Sequence, residues 1–196
     1  MAGDIFGSVV AVSGDTVVAG ADFKNNRIGV AYVFARRGLG WEQQAELSAG
    51  NGMSGDQFGD AVAVDRDTVV VGAVYNSSAA GAAYVFVHRG VGWEQQAKLT
   101  ANDGAAGDGL GDAVAVEGDI VVTGTPFANI GAGNYETGAA YVFTRAGGNW
   151  VQQAKLTAGD GASWDFFGAG VGVSGHSIVV GAPFNRGTGT VYAFER

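Results

Sequence analysis

Apolar words recur along this chain at a spacing of about fifty residues, which identifies a repeat array. Each repeat opens on a run of small apolar residues, segment A, at Phe6 to Val12, Phe58 to Val64, Leu110 to Val116 and Phe167 to Val173. A short turn follows, at Ser13-Gly14-Asp15, Asp65-Arg66-Asp67, Glu117-Gly118-Asp119 and Ser174-Gly175-His176. Segment B is then a β-branched string closing on Gly-Ala or Gly-Thr, as in Thr68 to Ala73. In segment C, Val30, Tyr32 and Phe34 alternate with Ala31 and Val33; in segment D, Trp41, Gln43, Ala45 and Leu47 alternate with Glu42, Gln44, Glu46 and Ser48. A period of two predicts strands, and no stretch reads as an amphipathic helix. Segment A, apolar on both faces, is expected to lie innermost, and D, polar on one face, outermost.

A lone four-stranded sheet of this kind leaves an apolar face in water, and sheets stacked around an axis do not. The expectation is an all-β fold, a β-propeller with four blades per chain, forming one domain over 1–196 with repeats at about 3–54, 55–106, 107–163 and 164–196. A β-solenoid is the second choice, because its rungs are shorter than these repeats. The fourth repeat stops after segment C, so the last blade lacks its outer strand and exposes an unpaired edge. Three readings follow: a three-stranded last blade, a second chain covering it, or a segment of a longer array. Two chains completing an eight-bladed ring stand beside a closed monomer.

Composition narrows the partners. The 35 glycines, 2 prolines and absence of cysteine suit tight turns and exclude disulfides and thiolate metal sites. The net charge of −8 is spread through the loops, which argues against phosphate-mediated nucleic-acid binding. No apolar run approaches a membrane span, and Met1-Ala2-Gly3-Asp4 has neither the basic start nor the apolar core of a signal peptide.

Phe167-Gly168 at the start of segment A and Gly181-Ala182-Pro183 at the end of segment B resemble the FG-GAP repeat of integrin α-subunit propellers and many bacterial surface proteins. The resemblance covers essentially the whole chain, and Trp-x-Gln-Gln-Ala-x-Leu is most similar to the bacterial branch. Leu110 replaces the Phe in the third copy, and the first two copies lack the Pro. Kelch repeats fit less well, since Gly81-Ala82-Ala83-Tyr84 lacks their adjacent glycines. The resemblance implies a non-enzymatic, extracellular or cell-surface module that binds a protein or glycan through one loop face. Integrin-like repeats often carry a calcium loop between segments A and B; here that connection is too short to wrap an ion. No cofactor and no metal are expected.

His88 stands where other copies have Arg36, Arg145 and Arg196, and His176 where they have Asp15, Asp67 and Asp119, so neither is expected to be catalytic. Gly168 to Gly172 is glycine-rich but lies in a strand position with no helix after it, unlike a phosphate loop. Asp4, Asp56, Asp108 and Asp165 precede segment A in every copy and are expected to satisfy loop N–H groups. Calcium between Asp103 and Asp108, or Asp160 and Asp165, is the less favoured alternative. Positions that differ among copies on the B–C and D–A connections are the ligand-binding candidates: Lys24, Asn25, Asn26 and Arg27; Tyr75 and Asn76; Asn129, Asn134, Tyr135 and Glu136; Trp164; Asn185 and Arg186. Exposed aromatics beside amides can stack on sugars or anchor a protein. The expected function is ligand binding or adhesion; a lectin with repeated sites and a purely structural array are the alternatives.

Overall fold

The computed structural model describes residues 3–195; Met1, Ala2 and Arg196, at the ends of the expected first and last repeats, lie outside the described residues. The chain forms four antiparallel sheets. The first holds β1 (Val10–Ser13), β2 (Thr16–Ala21), β3 (Val30–Arg37) and β4 (Gly40–Leu47), in that order. The second holds β5 (Phe58–Asp65), β6 (Thr68–Ala73), β7 (Ala82–Arg89) and β8 (Gly92–Leu99). The third holds β9 (Val114–Glu117), β10 (Ile120–Thr125), β11 (Ala139–Ala146) and β12 (Asn149–Leu156). The fourth, among the described residues, holds β13 (Gly170–Ser174), β14 (Ser177–Ala182) and β15 (Thr190–Glu195). Strand order follows chain order in each sheet, so segment A is one edge and segment D, where present, the other. This is an all-β, propeller-like arrangement of successive blades.

Segment A departs from expectation at its start. The Phe-Gly or Leu-Gly pair precedes the strand in three copies; in β5, which includes it, the pairing with β6 is irregular between Phe58 and Val62. Gly7, Gly59, Gly111 and Gly168 take φ of 82°, 100°, 95° and 102°, a region that favours glycine and turns the chain out of the ladder. The turn makes the pair a junction with the preceding blade. Phe58 N–H donates to the Ile28 carbonyl, Leu110 N–H to Ala80 and Phe167 N–H to Thr137, each at 2.9 Å. The Gly of the Gly-Ala word receives this approach: a methyl group on Gly20, Gly72 or Gly124 would lie 2.0, 2.0 or 1.8 Å from the carbonyl oxygen of Gly59, Gly111 or Gly168. Phe-Gly and Gly-Ala are thus two halves of one interface between neighbouring blades.

Segment D contains a β-bulge that strict alternation does not anticipate. Phe34 faces Gln43 and Val33 faces Ala45, leaving Gln44 unpaired, and the same shift recurs in the second and third sheets. A bulge re-aims a side chain. Gln44 Oε1 accepts from the Trp93 indole N–H at 2.9 Å, and Gln96 Oε1 from Trp150 at 2.8 Å, tying each outer strand to the next blade. The opposite ends of the blades are tied as well: Arg66 N–H donates to Ser13 Oγ, Gly118 N–H to Asp65 and Gly175 N–H to Glu117.

Three buried clusters lie within and between these sheets, one of them containing Phe58, Tyr84 and Phe86, another Leu110, Tyr141 and Phe143, and the third Phe167, Val180 and Ala182. Among the described residues the series does not close: no hydrogen bond joins the fourth sheet to the first, and Phe6, Val10, Val12, Val179 and Val191 are exposed.

Candidate functional site

The connections after segments B and D share one face of the molecule, and their backbones are unusual. Asn25, Asn26 and Arg27 have φ between 53° and 60°, and Ser77, Ser78 and Ala79 between 55° and 62°, making left-handed turns within the connections whose content varies among copies. Three consecutive non-glycine residues in that region are costly, about 1–2 kcal/mol each in isolation. The gain is alignment of carbonyls: Arg27 O accepts from both Gly55 N–H and Gln57 N–H, and Ser78 O and Ala79 O accept from Gly107 and Gly109. These loops are therefore parts of the blade junctions.

Asp56, Asp108 and Asp165 hold the D–A loops as expected, accepting from Met53, Ala105 and Ala162 N–H at 2.9, 2.8 and 2.7 Å. Asn76 and Asn185, expected among the ligand contacts, are each 1 % exposed and point inward. Their side-chain amides donate to Asp56 and Asp165 at 2.7 and 2.8 Å, so both are interior braces and leave the candidate surface. Lys24 is held by the Tyr32 hydroxyl and by Glu46. Arg186 is paired with Asp160, Asn26 donates to Ser54, and Arg27 lies over the Phe23 ring at 4.5 Å. Asn134 donates to the Ile130 carbonyl, and Asn129 accepts from Glu136 N–H. Asn25 is exposed, and Tyr75 is 53 % exposed.

Tyr135, Glu136 and Trp164 are brought together, and around them lies an aromatic surface at the junction of the third and fourth blades. Trp164 stacks on Tyr135 with ring centres 6.2 Å apart and planes 19° apart. Phe166 lies 6.4 Å from Trp164, 6.0 Å from Phe127 and 5.5 Å from Phe184. Tyr135, Trp164 and Phe184 remain 59, 54 and 63 % exposed, a concentration of aromatic area that solvent contact leaves unused. A cavity of about 210 Å³ opens beside it, lined by Asp108, Phe127, Asn129, Tyr135, Glu136 and Trp164. A second, of about 260 Å³, lies against Phe127, Phe166 and Phe184. Trp164 has φ 71° at the position held by Gly3, Gly55 and Gly107 in the other copies. A backbone cost carried by an exposed aromatic is a pointer to function.

Phe23, Phe127 and Phe184 were not among the sequence candidates, although with Tyr75 they occupy one position, the second after segment B, in all four copies. That recurrence is the signal that identifies them. Deeper in, burial pushes the Asp60 carboxyl up to about 6, with the Asp22 and Asp112 charges adding to the shift; Asp112 is also raised by burial.

The acids weighed for calcium have other uses. Asp103 accepts from Lys155 and the Tyr141 hydroxyl and is held below the ordinary carboxylate range, first by Lys155. Asp160 does the same with Tyr192 and Arg186. The A–B turns place Asp15 and Asp119 against Arg36 and Arg145, so their residues do not fit a calcium loop. His88 lies beside Trp93 and Gln44 on the outer strands, away from the loop face.

The repeated blades with backbone junctions define a propeller-like repeat protein. The family model described as FG-GAP repeat matches residues 1–34, 41–86, 93–143 and 150–194, and the chain belongs to that family. No curated protein matches it significantly. Among solved structures it is similar to the N-terminal domain of Nup159, with 10 % identity and a TM-score of 0.49. That alignment covers 96 % of this chain and 44 % of the other, so the chain spans less than half of the solved domain.

Proposed function

We propose that this chain is a non-enzymatic ligand-binding or adhesion module that works through its loop face, with the aromatic surface of the third and fourth blades as its contact. The observation that carries this reading is Trp164, an exposed indole held at a glycine-type φ and stacked on exposed Tyr135. Aromatics supply large contact area with few rotors to immobilise, which suits an anchor. The ligand is a protein or a glycan, met at the cell surface or outside the cell. A stacked Trp-Tyr platform beside the amide of Asn129 also fits a sugar ring, which keeps the lectin reading in play at this one junction.

Glycan-array and cell-surface binding, each with wild type and Trp164→Gly, test the proposal. Glycine is the residue of the sibling copies, so the backbone is kept while the ring is removed. Binding lost in Trp164→Gly supports the loop-face reading, and binding indifferent to Trp164 and Phe184 overturns it. Retention on cells without any glycan signal removes the lectin.

For assembly, we read the two exposed end faces as halves of a further junction, Phe6-Gly7 at one end and Gly181-Ala182 at the other, which a second chain completes into an eight-bladed ring. The support is the threefold recurrence of that junction inside the chain. Light scattering distinguishes one chain from two.

A further inference from the structure

Resting on the loop-face reading, we propose that the 210 Å³ cavity beside Trp164 is a receptor for a weakly hydrated organic cation, a methylated or quaternary ammonium group carried by the ligand.

The argument begins with a difference among copies. In the second and fourth repeats one oxygen of Asp56 or Asp165 takes two bonds, from a loop N–H and from the amide of Asn76 or Asn185. In the third repeat Ala128 stands where those asparagines stand, and among the described residues Asp108 keeps the bond from Ala105 N–H alone. Asp108 is 8 % exposed, so a buried carboxylate lines the cavity with one fewer partner than its counterparts. Glu136 lines the same cavity, and among the described residues no hydrogen bond or ion pair engages its carboxylate. Phe127, Tyr135 and Trp164 supply aromatic walls.

Two under-partnered acids among three aromatic rings attract a cation through charge and through the negative faces of the rings. The choice among cations follows from acceptor supply. A bare ammonium or guanidinium brings three or five N–H donors, and its hydration must be replaced bond for bond. Here the Asn129 oxygen already accepts from Glu136 N–H, so the side-chain acceptors that remain are the two carboxylates and the Tyr135 hydroxyl. Each methyl removes one such donor, a quaternary ammonium has none to satisfy, and the methyl groups face the rings. The net charge of −8 adds long-range attraction.

The test is titration of the intact chain with tetramethylammonium chloride, following the Trp164 indole N–H by NMR against sodium chloride at equal ionic strength. Phosphocholine and trimethyl-lysine amide then distinguish a headgroup-type from a peptide-type source. We expect saturable shifts with a dissociation constant of about 1 mM, the range of weak single-group binding. Ala128→Asn, which supplies the amide of the sibling copies, and Glu136→Gln each weaken binding about tenfold. Because Ala128→Asn crowds a buried site, its fold is checked by the amide spectrum, and Glu136→Gln at a half-buried position tests the charge independently. Absence of a saturable shift, equal response to arginine amide, or an unchanged affinity in Glu136→Gln overturns the proposal. Trp164-dependent cell or glycan binding without a tetramethylammonium response would reject the cation site and leave the loop-face function standing. Loop-face binding indifferent to Trp164 would reject both.

Discussion

Phe6 and Phe58 begin the same word and meet opposite fates. Each ring packs edge-on against the Tyr and Phe of its own segment C, Phe6 at 5.4 and 6.2 Å and Phe58 at 5.4 and 5.9 Å. Phe58 is nevertheless 0 % exposed and Phe6 57 % exposed. The difference is the neighbouring blade, whose backbone closes over Phe58 and, among the described residues, has no counterpart over Phe6. At the other end, a methyl group on Gly181 would meet nothing nearer than 3.7 Å, against 2.0 Å for its equivalent Gly72. A blade therefore supplies half of each core it belongs to. Stability in this chain resides in the junctions as much as in the sheets, as in other arrays of stacked repeats.

The sharpest way to break this comparison is truncation of the two phenylalanines. Phe58→Ala is expected to cost about 3–5 kcal/mol in urea unfolding and Phe6→Ala less than about 1 kcal/mol in the single chain. Equal losses would mean that the Phe6 end is covered in solution. Next, Gly72→Ala forces a methyl into the Gly111 carbonyl and should cost at least about 1–3 kcal/mol. In the single chain Gly181→Ala, with room for the methyl and without a positive φ, should stabilise by about 0.4–1 kcal/mol, whereas in a ring completed by a second chain the methyl would clash as at Gly72.

A smaller effect tests the electrostatics of closure. Asp60 and Asp112 follow the Phe-Gly or Leu-Gly pair at the first two junctions, whereas Ala169 holds that position at the third and Ser8 in the first copy. With its carboxyl at about 6 in the folded chain against 3.8 unfolded, Asp60 takes up a proton on folding between those values. Stability should accordingly rise as pH falls from 7 towards 5, by about 1 kcal/mol once solvent around a partly exposed carboxyl is allowed for. Asp60→Asn should raise stability at pH 7 and flatten that rise. Below about pH 4 the sign reverses, because Asp65, Asp103 and Asp160 are held below their usual range and lose their partners on protonation. Smallest of all, Trp93→Phe removes the bond to Gln44 and should cost about 0.5–1 kcal/mol, leaving no buried group unpaired.

The candidate site was legible unevenly. Trp164, Tyr135 and Glu136 stood out because their positions differ among the copies on connections expected to share one face. Asn76 and Asn185 passed the same test of variability and are interior, since the partner each needs, Asp56 or Asp165, lies 20 residues away in the chain and is met only in the folded loop. Phe127 and Phe184 escaped notice for the converse reason: recurrence at one position reads as architecture, yet recurrence at a loop position can also line a surface.

Period-two alternation and the recurring words were enough to determine four sets of strands, their order within each sheet and the membership of every segment, because strand faces and hairpin turns are local properties. The bulge that turns Gln44 towards Trp93, the Phe-Gly turn that locks onto the preceding Gly-Ala, and the gathering of Trp164, Phe166, Phe127 and Phe184 into one surface were decided only in three dimensions. Each depends on the approach of groups from different blades, and alternation within one strand carries no record of which neighbour will stand against it.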